Sequence, residues 1–108
     1  MLVLFDQGTP VPIASFLVGH MVKTARQQGW DTLTNGELLR MAEEAGFDVL
    51  LTTDKNLAYQ QNLKGRRIGI VVLARNRWSM VKLAVPEIVA AVNGCSPGRY
   101  LMVDVPDR

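Results

Sequence analysis

The chain has one cysteine and one histidine among its 108 residues, and each shortage excludes a class of chemistry. A lone Cys95 cannot close an intramolecular disulfide, fits a reducing compartment, and is not expected to be a catalytic thiol. His20, in Gly19-His20-Met21-Val22, has no companion at zinc-ligand spacing, so a structural or surface role is expected for it. No stretch approaches the roughly 20 apolar residues of a membrane span, and no basic segment leads into a long apolar region at the start of the sequence. A cytoplasmic protein with no membrane partner is the expectation. Charge of one sign is also scarce: the formal net charge is +2 and the pI about 9.0, too small an excess to make a nucleic-acid footprint by itself. Repeats and low-complexity tracts are missing, and Pro and Gly fall singly as punctuation between short elements.

What is present is enough for one core. The length suits a single domain over residues 1–108. With 48% hydrophobic and 20% charged residues, the balance is that of a globular chain rather than a disordered one. Residues 2–5 form an apolar run suited to an interior strand, and Pro10 and Pro12 precede a helix over about 13–18. A second strand is predicted over 21–24, then a helical turn or loop over 25–30. The clearest helix runs from Thr34 to Gly46, with Leu38, Met41, Ala42 and Ala45 in one stripe and Gly46 suited to the left-handed residue after it. Residues 47–53 read as a strand, 54–61 as a helix opened by Asp54, and 68–73 as the most strand-like run, expected in the middle of the sheet. A helix over 78–85 should break at Pro86 unless Pro86 starts a new turn, with 87–92 continuing. A short strand over 100–105 should lie at an edge, because Pro106 follows. The alternation implies an α/β fold with helices on both faces of a mostly parallel sheet.

Two aspartates stand where apolar strands stop: Asp6 after Leu2-Val3-Leu4-Phe5, and Asp54 after Val49-Leu50-Leu51-Thr52-Thr53. The carboxyl ends of parallel strands share one crevice, so residues distant in sequence can meet there. Crowded carboxylates repel unless a proton or cation intervenes. Glu37, in the first turn of its helix, could lean over the same edge, and three hard oxygen ligands suit Mg²⁺ or Mn²⁺. Such an ion would activate water and stabilise charge on a phosphodiester under attack. Each acid also has a structural use. Thr34-x-x-Glu37 matches a capping box, and Asp54 can cap the helix that follows it. Asp6 has no ready capping use, because Pro10 and Pro12 delay the next helix. Asp31, Asp48, Glu43, Glu44, Glu87, Asp104 and Asp107 read as exposed charge.

Leu4-Phe5-Asp6 followed by Pro10, then Asn35-Gly36-Glu37-Leu38-Leu39 through Ala42-Glu43-Glu44-Ala45-Gly46, then Leu51-Thr52-Thr53-Asp54-Lys55-Asn56-Leu57, resembles the PIN-like domain family. The closest likeness is to its short bacterial branch, often encoded as the toxin-like partner of a small antitoxin. The resemblance implies a three-layer α/β/α fold and a metal-dependent ribonuclease with Mg²⁺ or Mn²⁺ held by Asp6, Glu37 and Asp54. It also implies that Thr53 orients a carboxylate or water. The chain departs from the pattern at Gln7, Gly8 and Asn35, where related sequences often carry acids or, near the first aspartate, an asparagine. After the 68–73 run, Ala74-Arg75-Asn76-Arg77 offers only Asn76 where a fourth acidic ligand is expected. The acidic set is lighter than the family's, which lowers the expected metal affinity.

RNA contact is expected from Thr53, Asn35, Asn76, Arg75 and Arg77, with Tyr59, Trp30 and Trp78 as stacking candidates; packing competes for Trp78. Lys64, Arg66 and Arg67 before the 68–73 run and Arg75 and Arg77 after it read as solvated charge or as a phosphate patch. The leading expectation is therefore an endoribonuclease, with RNA, an antitoxin protein and a second copy of the chain as partners. The alternatives are a noncatalytic PIN-like interaction module and a receiver-like phosphoacceptor at Asp54. The last wants adjacent acids after the first strand and a lysine after the final one, which this chain lacks.

Overall fold

The computed structural model of the chain describes residues 1–57 and 66–104. Three of the apolar runs are buried almost residue by residue and form the interior of the sheet: β1 (Leu2–Phe5), β3 (Val49–Thr52) and β4 (Gly69–Leu73). The two runs with mixed exposure, β2 (Met21–Thr24) and β5 (Tyr100–Val103), are its edges. The order is β2-β1-β3-β4-β5, and every pairing is parallel. An all-parallel sheet needs cover on both faces, which is why its inner strands do not alternate apolar with polar.

Side-chain alternation divides the core in two. Val3, Phe5, Val49, Leu51, Val71 and Leu73 point to one face. There they meet Ile13 of a 3-10 helix (Val11–Phe16), Val81 of α2 (Trp78–Val81), and Ile88 and Val92 of α3 (Val85–Gly94). Leu4, Leu50, Ile70 and Val72 point the other way, to Leu38, Leu39 and Ala42 of α1 (Asn35–Glu44) and to Leu57. Each fully buried Val, Leu, Ile or Phe among them contributes about 1.5–3 kcal/mol relative to exposure. The chain steps in the same direction along the sheet from β2 to β3 and from β4 to β5. Because α1 covers one face and α2–α3 the other, these two crossovers have opposite hands, an exception to the usual single hand.

Element identities follow the sequence pattern, with local corrections. The segment after Pro10 is a 3-10 helix starting two residues early, with Pro12 in its first turn. Gly46 takes φ +85° after α1. The second helical region splits at a 3-10 turn (Lys82–Ala84), and Pro86 sits in the first turn of α3, where its missing N–H costs nothing. The 68–73 run is interior, between β3 and β5, while β3 holds the middle position. Trp30 packs edge-on against Phe47 with ring centroids 5.9 Å apart, and Trp78 packs against the core beside Phe16. His20 donates or accepts through Nε2 at 2.6 Å from Asn93 Oδ1, tying the start of β2 to α3. The helix predicted over 54–61 extends beyond the described residues, as do Tyr59, Gln60, Gln61, Asn62, Lys64 and the end of the final strand at Val105.

Two acids expected to be simple exposed charge hold loops. The Glu43 carboxylate pairs with Arg66 at 2.7 Å and accepts the backbone N–H groups of Arg67 and Ile68, fixing the approach to β4. Burial pushes the Glu43 carboxyl up, but these bonds outweigh it and hold the group below its ordinary value. Asp48 Oδ2 accepts the Leu2 N–H at 2.8 Å, fastening β1 at the sheet's amino edge.

Gly69 opens β4 at the tightest spot in the packing. A Cβ there would lie 2.4 Å from Cys95 Sγ and 2.9 Å from the Ser96 carbonyl oxygen. Gly69→Ala should therefore lower the free energy of unfolding in urea by about 1–3 kcal/mol, the cost of an overpacked core. Adding Cys95→Ala should recover only part of the loss, since the Ser96 backbone stays in the way.

Candidate active site at the carboxyl edge of the sheet

Parallel pairing puts the carboxyl ends of all five strands on one edge, and the step from β1 outward to β2 leaves a crevice between β1 and β3. Asp6 and Asp54 follow those two strands. The register sets Phe5 beside Leu51, and the Asp6 N–H continues the ladder to the Leu51 carbonyl at 2.9 Å. Asp6 therefore stands opposite Thr52, on the same face.

Thr52 joins the two acids. Its buried hydroxyl donates to Asp6 Oδ2 at 2.8 Å and accepts the Asp54 N–H at 3.1 Å. Asp6 Oδ1 accepts the Gln7 N–H at 2.8 Å. Asp54 Oδ1 accepts the Asn56 N–H at 2.9 Å, and Asp54 Oδ2 accepts from Asn35 Nδ2 at 3.0 Å. Asn35 reaches this position because the Thr34 capping box starts α1 beside β3's carboxyl end. Burial pushes the Asp6 carboxyl above its ordinary value; the Thr52 and Gln7 hydrogen bonds oppose it, and the Asp54 charge adds to it.

Glu37 is differently engaged. Its Oε1 accepts the Thr34 hydroxyl at 2.8 Å and the Thr34 N–H at 3.2 Å, while the Thr34 hydroxyl accepts the Glu37 N–H at 3.3 Å. These bonds hold the exposed carboxyl below its ordinary value. Among the described residues, no three His, Cys, Asp or Glu side chains gather as a metal-holding group.

Two cavities flank the acids. One, of about 270 Å³, is lined by Thr53, Lys55, Ala74, Arg75 and Asn76. The other, of about 170 Å³ and mainly apolar, lies toward β2, with Asp6, Gln7, Thr24 and Arg26 among its lining. Of the expected RNA contacts, Thr53, Arg75 and Asn76 share the first cavity, Asn35 touches Asp54, and Arg77 stands exposed at the start of α2. Sequence reasoning missed Thr52 and Lys55. Strand alternation carries the signal for Thr52: counted from the Phe5–Leu51 pair, it is Thr52, not Thr53, that faces Asp6.

No family model, curated protein or solved structure matches this chain.

A raised carboxyl favours the folded state when protonated, so the Asp6 contribution to stability is present below pH 3.8 and is lost as pH rises through the higher folded-state value. Without added metal, the stability difference between Asp6→Asn and wild type should shift in the variant's favour as pH rises from 3 to 7. Urea unfolding across that range checks it; a pH-independent difference would mean that Asp6 carries no burial cost.

Proposed function

We propose that this chain is a metal-dependent endoribonuclease acting on single-stranded RNA, with Asp6 and Asp54 as its central carboxylates. The observation that carries the reading is the Thr52 hydroxyl, which bonds the Asp6 carboxylate and the Asp54 backbone N–H and so links the two residues at the switch-point crevice. The resemblance of the segments around Asp6, Glu37 and Asp54 to PIN-like domains supplies the reaction class. Mg²⁺ is commonly bound through only one or two carboxylates plus waters and substrate phosphates, so a pair of aspartates fits it without a third acid. When bound, such an ion supplies an activated water and neutralises charge on the phosphodiester. Asp6 and Asp54 hold the anionic oxygens that would face it, Thr52 fixes the Asp6 carboxylate, and Asn35 fixes that of Asp54. Glu37 stands in the first turn of the same helix as Asn35, where its carboxylate closes the capping box that sets the start of that helix. An antitoxin protein that covers this edge belongs to the same proposal, as does a cytoplasmic setting.

A noncatalytic interaction module is the second reading. Val11, Phe16, Val18 and Met21 are exposed within one stretch of chain, Val18 at 87%, and clustered apolar exposure marks association surfaces. A receiver-like role gains from the 2-1-3-4-5 strand order, but β5 ends at Val103 and Asp104 follows it, with no lysine there.

Single-stranded RNA incubated with the protein and Mn²⁺ should be cut internally, and chelator should stop it. Asp6→Asn and Asp54→Asn should each reduce the rate by roughly 100-fold or more, exceeding the ~10–100-fold typical of residues that only support a metal ligand. Thr52→Val should fall within that smaller range. Glu37→Gln preserves the capping box, in which Gln serves as well as Glu, and should cost less than Asp6→Asn. Cleavage that survives both aspartate variants, or calorimetry showing no carboxylate-dependent Mn²⁺ binding, would leave the interaction module as the better account.

A further inference from the structure

The cavity beyond Asp54 has a chemistry opposite to that of the acid pair. Lys55 and Arg75 bring two cations to its wall, Thr53 a hydroxyl and Asn76 an amide, and no carboxylate lines it among the described residues. We propose that this cavity is a phosphate subsite that works without metal, with Lys55 as its principal cation; resting on the nuclease reading, it holds an RNA backbone phosphate other than the one at the carboxylates. Electrostatics requires such a device. Asp6 and Asp54 repel an approaching polyanion, so the strand must be held by cations placed beside them. Lys55 follows Asp54 by one residue, and Arg75 lies after β4, the strand next to β3.

Size and lining narrow the ligand. About 270 Å³ accommodates a phosphate with its sugar rather than several nucleotides. No aromatic ring lines the cavity among the described residues, so it offers no stacking platform and takes the backbone irrespective of base. The path to the acids is short. Gly8 lines the second cavity with Asp6, and a Cβ on Gly8 would lie 3.5 Å from Thr53 Oγ1, a residue of the first. The two cavities therefore share the Gly8–Thr53 wall, and a strand leaving the cationic cavity over that wall arrives at Asp6.

The test is titration in chelator, followed by backbone amide NMR, with inorganic phosphate, a nucleoside 5′-monophosphate and a short single-stranded RNA. Saturable shifts at Thr53 and Asn76 are expected with all three, weakened at least about tenfold in Lys55→Gln, the loss of one charge-assisted contact. Asp6→Asn should bind as well as wild type or better. RNA affinity should lose about 0.7 from the slope of log K against log salt in Lys55→Gln, one phosphate contact on a single strand. Shifts with the monophosphate but no salt-slope change with RNA would assign the cavity to free nucleotides and overturn the backbone role. Absent shifts, or binding indifferent to Lys55, would overturn the subsite altogether. Phosphate binding that persists in a protein unable to cut RNA would instead sink only the nuclease reading.

Discussion

The parallel pairing of β1 with β3, in the register that sets Phe5 beside Leu51, is the constraint on which the candidate site depends. A slip of β1 by one residue against β3 would turn Leu4 into the layer of Leu51 and Val71, and Val3 and Phe5 toward α1, mixing the two halves of the core. It would also carry Asp6 away from the Thr52 hydroxyl. Hydrophobic burial on two faces thus enforces, at no extra expense, the alignment of two polar residues at the strand ends. Precision at the edge is inherited from the apolar interior, which tolerates only one register.

That alignment has an electrostatic consequence. Asp6 is held where burial disfavours its charge and where Asp54 disfavours it further, with two hydrogen bonds in partial compensation. A carboxylate serving only stability would be better placed in water, as Glu37 is, or against a guanidinium, as Glu43 is against Arg66. Strain of this kind concentrates where a ligand relieves it. A divalent ion would offset both unfavourable effects on Asp6, because its attraction stabilises the charged form that burial and Asp54 penalise.

Much of the fold was legible because its signals are local. The apolar runs of β1 and β4, the stripe and capping box of α1, and Pro86 at a helix start each act within a few residues. The convergence of Asp6 and Asp54 on one edge was legible too, since parallel strands end together. Other features depend on partners far away in sequence. Glu43 clamps the Arg66–Ile68 segment, Asp48 fastens Leu2, and Gly69 makes room for Cys95; nothing near any of them announces its partner. The resemblance drew notice to Thr53 through its motif position and was silent on Thr52, whose hydroxyl strand parity sets beside Asp6. The 3-10 helix after Pro10 escaped for a related reason. Six residues are too few for a 3.6-residue period to separate from a three-residue one.

Net charge concealed the arrangement of charge. A sum of +2 over the chain suggests little interest in nucleic acid, yet the carboxyl edge sorts its charges, with Asp6 and Asp54 at the crevice and Lys55 and Arg75 around the neighbouring cavity. A uniformly basic edge would attract RNA without orienting it, and a uniformly acidic one would repel it. Juxtaposed patches of opposite sign would divide the two tasks under the proposed reading: the cations would capture phosphate, and the carboxylates would admit it only with a metal ion between. Spatial segregation within one edge, rather than overall excess, is how a nearly neutral chain of this size places cations beside a pair of carboxylates.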